Sequence, residues 1–206
     1  MLSVGVKERR QKHKEEFKAE ILAAALTLFA REGYANFSMR KLAASIDHSP
    51  TAIYLYFRDK DDLLFHICEN LYASLNQHYA EIRKQGISPE QTLREIMLCY
   101  IRDSLANPEL YKVVFFSNPQ LYGKPEEFAS RDTMALRSWR IVCEVIDDCI
   151  TDGAFRSADS ATLSIVLWSA THGLISSIIF TKDFPMPDPE VMAEIFLDAF
   201  FRGLRP

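Results

Sequence analysis

Residues 48–60, HSPTAIYLYFRDK, gather side chains suited to one kind of chemistry. Ser49, Thr51, Tyr54 and Tyr56 supply hydroxyl donors, and Lys60 adds an ammonium. Hydroxyl and ammonium donors hold phosphate oxygens by hydrogen bonding alone. Patterns for bond making are missing from the chain. It has no H-E-x-x-H, no phosphate-cradling glycine loop, no G-x-S-x-G and no Cys/His cluster with zinc spacing. Asp147 and Asp148 are adjacent. On a helix they diverge by about 100°, which suits a solvated face better than an acid/base pair. No enzyme, metal or cofactor is expected.

The donors need a scaffold. Ser49 as N-cap and Pro50 at the first helical position open a short helix over about 50–57. Ser38 opens another over about 39–46, with Leu42, Ala43 and Ile46 on its inner side. Asp47 and His48 form the turn between them. A longer helix precedes the pair, with Phe17, Ile21, Ala24, Ala25, Leu28 and Phe29 at helical spacing and Gly33 at its C-terminal cap. Two short helices joined by a tight turn and packed on a third make a helix-turn-helix. On the second short helix Ile53 and Phe57 point inward, while Thr51, Ala52 and Leu55 point outward. Tyr54 and Tyr56 fall on opposite flanks of that outer face. Thr51 and Ala52 are small enough to let such a helix sit deep in a major groove. The tyrosines and Lys60 can then reach phosphates on either side. Half-buried surface tyrosines are the alternative reading.

Charge agrees with a polyanion-binding head. Residues 1–60 carry 11 Lys+Arg against 7 Asp+Glu, whereas residues 61–206 carry 13 against 21. Residues 7–16 are mostly charged and read as a mobile arm or frayed first turn. Asp59 is the expected N-cap of the next helix, with Asp62 completing a variant capping box. That helix runs to about Lys84. Five more follow, near 89–106, 108–117, 126–151, 158–181 and 188–203, separated by Pro- or Gly-containing breaks. The expected architecture is all-α, about nine helices, with a head at 1–60 and a sensing and dimerising body at 61–206. No run of 18 apolar residues suggests a membrane span, and no secretory signal is visible. Cys68, Cys99, Cys143 and Cys149 are scattered and read as reduced thiols of a cytoplasmic protein.

Helix-turn-helix heads usually pair, so the body should supply a two-fold interface. Ser169, Gly173 and Ser177 repeat every four residues in one row. Ile195, Phe196 and Ala199 supply apolar rows on the last helix. These two helices are expected to pair with their symmetry mates in a four-helix bundle, the alternative being packing within one subunit. Tyr100, Tyr111, Phe115, Phe116, Trp139, Arg140, Trp168 and His172 are candidates for an effector pocket. An aromatic cluster equally suits a core, and His172 equally suits a capping or interface role.

The stretch Ile21–Leu64 resembles the DNA-binding domain of the TetR family of bacterial regulators, in LFAREGY, SMRKLAASI and TAIYLYFRDKDDLL. The resemblance implies phosphate contacts from Ser38, Tyr54, Tyr56 and Lys60. It implies base or sugar contacts from Arg40, Ser49, Pro50, Thr51 and Ala52. Two positions depart from the pattern: Asp47 stands where glycine is usual, and His48 where an apolar residue is usual. In the body, WSATHG resembles the Trp-x-x-x-His-Gly signature of one branch of such regulators. The implied function is a homodimeric repressor that leaves a palindromic operator when an apolar or aromatic effector binds. A ligand-independent regulator or activator, and a helical ligand-binding or interaction module, are the alternatives.

Overall fold

The computed structural model describes residues 2–118, 120–181 and 184–206. Its helices are α1 (Leu2–Asn36), α2 (Met39–Ser45), α3 (Pro50–Tyr54), α4 (Lys60–Arg83) and α5 (Pro89–Ala106). They continue with α6 (Pro108–Phe116), α7 (Pro125–Ser130), α8 (Met134–Thr151), α9 (Ser160–Phe180) and α10 (Pro189–Arg202). The described residues contain no strand, so the fold is all-α as the sequence implies.

Three elements differ from their sequence expectation, each for a local reason. Residues 7–16 are helical rather than an arm. They are exposed throughout, and Gln11–Glu15 and Lys12–Glu16 pair across one turn at 2.7 and 3.8 Å. A helix polar on every side offers no apolar stripe to detect. Gly33, expected as the C-terminal cap, has φ 75° and interrupts α1, but helical turns resume to Asn36. The helix expected over 126–151 is two, α7 and α8. Thr133 starts the second by accepting the Leu136 N–H at 3.1 Å.

One compact unit comprises residues 1–69 and 109–127. Its core joins Ile21, Ala25 and Phe29 of α1 to Leu42 and Ala43 of α2, Ile53 of α3, Phe57, and Leu63 and Leu64 of α4. Phe29 stacks on Phe37 with ring centroids 4.0 Å apart. α3 has only five residues, too few to persist alone. Burial of Ile53 and Phe57, about 1.5–3 kcal/mol each, pins it in place.

The second unit comprises residues 70–108 and 128–206. Leu93, Ile96 and Ile101 of α5, Val145 and Ile146 of α8, Leu167 and Ile175 of α9, and Leu197 and Phe201 of α10 form its core. A capping box of Ser88 and Gln91 starts α5. Arg94 ties α5 to α10 through Glu194 at 2.7 Å and Asp198 at 2.5 Å, with its guanidinium over the Phe201 ring. α9 is long and apolar enough to cross a membrane, with mean hydropathy 1.7 over an 18-residue window, of which 28% is buried. Ser, Thr and His interrupt its apolar run, so no 18 consecutive apolar residues announce it, yet the mean stays high.

Candidate nucleic-acid interface

The head presents the residues that its sequence singled out. Ser38 caps α2 by accepting the Lys41 N–H, and Ser49 caps α3 by accepting the Ala52 N–H, both at 3.2 Å. Each hydroxyl keeps its own proton, so each oxygen can cap its helix and still donate to a phosphate. Arg40, Ser49, Thr51 and Tyr54 are exposed; Ser38, Pro50, Ala52, Tyr56 and Lys60 are half-buried. Tyr54 is 54% exposed, whereas Ile53 beside it is fully buried. Leu55 stands on the outer face, as its helical position predicts. At 79% exposed, it is the most accessible large apolar side chain on α3 or its cap.

The turn between α2 and α3 resolves the two departures from the expected pattern. Asp47 has φ 54°, the left-handed conformation usually assigned to glycine. The His48 N–H donates to the Ala43 carbonyl at 3.0 Å, the long bond of a Schellman closure with Asp47 at its left-handed position. The His48 ring packs against Phe17 at 4.5 Å, and Phe17 meets Tyr56 edge-on at 5.2 Å. His48 is thus an anchor between the turn and α1. Tyr56 also departs from a plain helical flank. The N–H groups of Tyr56 and Phe57 both donate to the Ile53 carbonyl, at 2.9 and 3.1 Å, and this tightening ends the helix at Tyr54.

Lys60 opens α4. Its ammonium donates to the Tyr34 carbonyl at 3.2 Å and lies 4.0 Å from the centre of the Tyr34 ring. The Tyr34 hydroxyl in turn donates to the Asp61 carboxylate, which Asn118 also approaches at 3.4 Å. Burial, and then this carboxylate, push the Tyr34 phenol up to about 12, so it remains a donor. Asp59 caps α4 by accepting the Asp62 N–H at 2.9 Å. Asp62 reaches the Arg58 N–H rather than that of Asp59, so the capping box is displaced by one residue. None of Phe17, Tyr34 or Asn118 was legible as part of this site, because each comes from a distant stretch of chain.

The eight candidate effector residues divide between the two units. Tyr111, Phe115 and Phe116 belong to the first, where Tyr111 is buried with Phe115 5.0 Å away and Phe116 is 55% exposed. Tyr100, Trp139, Arg140, Trp168 and His172 belong to the second. There the Tyr100 hydroxyl meets His172 Nε2 at 2.6 Å. Burial lowers the imidazole to about 4, so it is neutral. Trp168 packs on His172 at 4.2 Å. The Trp139 indole N–H donates to Ser164 at 2.7 Å. Arg140 is exposed.

The candidate interface row lies on the surface. Ser169, Gly173, Ser177 and Ala199 are exposed, Ile195 is 64% exposed and Phe196 is half-buried. Ile165, Val166 and Phe180 of α9 and Val191 of α10 are exposed as well. The Ser177 hydroxyl donates back to the Gly173 carbonyl at 2.7 Å. The row therefore presents little unmet polarity.

Residues 21–67 match the family model described as bacterial regulatory proteins, tetR family. Residues 93–200, more than half of the chain, match the Tetracyclin repressor-like C-terminal domain. The chain belongs to the TetR family. It is a DNA-binding transcriptional regulator of that family. Among its relatives, the HTH-type transcriptional repressor NicS of Pseudomonas putida is 28% identical over 53% of this chain and 51% of its own length. The match thus spans about half of NicS. The HTH-type transcriptional regulator AcrR of Shigella flexneri is 25% identical over 81% of this chain and 80% of its own. The fold is shared with FadR from Bacillus subtilis in complex with stearoyl-CoA, at a TM-score of 0.76 and 16% identity, covering 91% of this chain and 99% of that one. Each of these proteins is, by name, a transcriptional regulator or repressor, not an enzyme.

Proposed function

We propose that this TetR-family chain is a cytoplasmic homodimeric repressor that binds a palindromic operator through residues 1–60. In this reading a small apolar or aromatic effector, bound by the body at 61–206, releases it. The observation that carries the reading is the face of α3: Thr51 and Tyr54 exposed above a base of fully buried Ile53 and nearly fully buried Phe57. Thr51 and Ala52 touch base edges, with Arg40, Ser49 and Pro50 at bases or sugars. Ser38, Tyr54, Tyr56 and Lys60 hold phosphates. The exposed apolar row of α9 and α10 supports pairing of two copies. Trp168, His172 and Gly173, which resemble the Trp-His-Gly signature, are assigned to the body that receives the effector. The similarity to FadR, whose bound molecule is stearoyl-CoA, is compatible with an acyl-bearing effector. Release is linkage: an effector shifts DNA affinity only by the difference in its affinities for the two conformations.

The test is titration of the full chain onto a palindrome selected from random duplexes. Two chains per palindrome are expected, with Tyr54→Phe weakening all duplexes alike and Ala52→Val changing the preferred sequence. One chain per palindrome, with equal affinity for a half-site, would exclude the dimeric mode. Trp168→Ala should remove effector release and keep DNA binding; equal loss of both would make Trp168 structural.

A further inference from the structure

In the second unit, three side chains of different chemistry converge. Cys99 and Asp103 lie one turn apart on α5, and His78 approaches them from α4. His78 Nδ1 is 3.1 Å from Asp103 Oδ2 and 3.7 Å from Cys99 Sγ, and Sγ is 3.9 Å from that oxygen. All three atoms lie within 4.8 Å of one another.

We propose that His78 Nδ1, Cys99 Sγ and Asp103 Oδ2 form a three-ligand zinc site. Zinc–ligand lengths of about 2.3 Å to sulfur and 2.0–2.1 Å to nitrogen and oxygen set the edges of a tetrahedral face. Those lengths give about 3.5 Å from sulfur to either partner and 3.3 Å from nitrogen to oxygen. The observed triangle lies within about 0.4 Å of that face on every edge. A Cys-His-Asp catalytic relay would need cysteine and aspartate at opposite ring nitrogens. Here both approach the same nitrogen, Nδ1, as ligands of a common centre do. One sulfur, one imidazole and one carboxylate form a mixed donor set that zinc accepts. Thiolate and carboxylate together balance the dication. Binding converts the Cys99 thiol to zinc thiolate and releases its proton to the buffer. His78 is exposed, and Cys99 and Asp103 are half-buried, so a fourth position opens to water or a small ligand. No sequence signal marks this cluster, since C-x-x-x-D is not a zinc spacing and His78 comes from another helix.

The experiment uses tag-free full-length chain, with zinc by calorimetry and cobalt as the coloured probe. One metal per chain is expected, with a proton released and a thiolate-to-cobalt charge-transfer band. Cys99→Ser should abolish the band, and Cys143→Ser should retain it. His78→Ala and Asp103→Asn should each weaken zinc more than about 100-fold, beyond what loss of a supporting hydrogen bond costs. Absence of one-to-one binding, or a band that survives Cys99→Ser, would overturn the site. Far-ultraviolet circular dichroism of each variant separates loss of a ligand from loss of the fold.

Discussion

Replacing Lys60 by alanine removes one positive charge from the proposed phosphate-binding edge and two contacts from the free head. The contacts are the hydrogen bond to the Tyr34 carbonyl and the ammonium over its ring. Together they stabilise the head by about 1–2 kcal/mol, since partly exposed cation–π pairs contribute about 0.5–1 kcal/mol and the hydrogen bond a similar net amount. The loss of DNA affinity has a separate signature. One phosphate contact contributes about 0.9 to the slope of log affinity against log salt. Between 50 and 200 mM salt, the advantage of wild type over Lys60→Ala should therefore shrink about 3.5-fold. Fluorescence anisotropy on one fixed duplex across that range measures it, and urea titration measures stability. If the variant loses stability while the salt slope stays at the wild-type value, Lys60 only braces Tyr34 and the phosphate assignment is wrong. Lys60→Arg should restore the charge but not the compact ammonium contact, recovering the slope ahead of the stability.

Asp47→Gly should stabilise the head by about 0.5 kcal/mol. Relief of the left-handed cost exceeds the extra freedom that glycine gives the unfolded chain. Asp47→Val should cost about 1–2 kcal/mol, and a neutral urea midpoint for valine would contradict the φ of 54° at this turn. For His172, the folded imidazole at about 4 lies below its ordinary value of 6.5. Its neutral form therefore stabilises the fold above about pH 6.5, and about 3 kcal/mol is lost as the pH falls toward 4. A pH series of urea midpoints should show this slope, and His172→Gln should flatten it. An unchanged slope in that variant would place the linkage elsewhere.

Local signals explain what the sequence revealed. Ser38, Ser49, Asp59 and Thr133 cap helices through side chains close to their own N–H targets. The first three are legible in the sequence because small polar residues ahead of an apolar period have few other uses. Thr133 is not, because no Pro or Gly marks the break at Arg131–Asp132. The inward direction of Ile53 and Phe57 was legible from periodicity. The final turn was not, because tightening onto the Ile53 carbonyl redirects Tyr56 toward Phe17. Contacts such as Lys60 with Tyr34, or His78 with Cys99 and Asp103, join distant stretches of chain. No single-sequence period encodes them.

The exposed row on α9 also bears on concentration. If two chains cover it, association and folding share one equilibrium, and each tenfold dilution costs the dimer about 1.4 kcal/mol. The melting temperature then depends on the amount of protein present. A cell holding few copies would carry part of them as monomers whose small-residue row faces water. Occupancy of a palindrome would fall more steeply with copy number than it does for a single-chain reader.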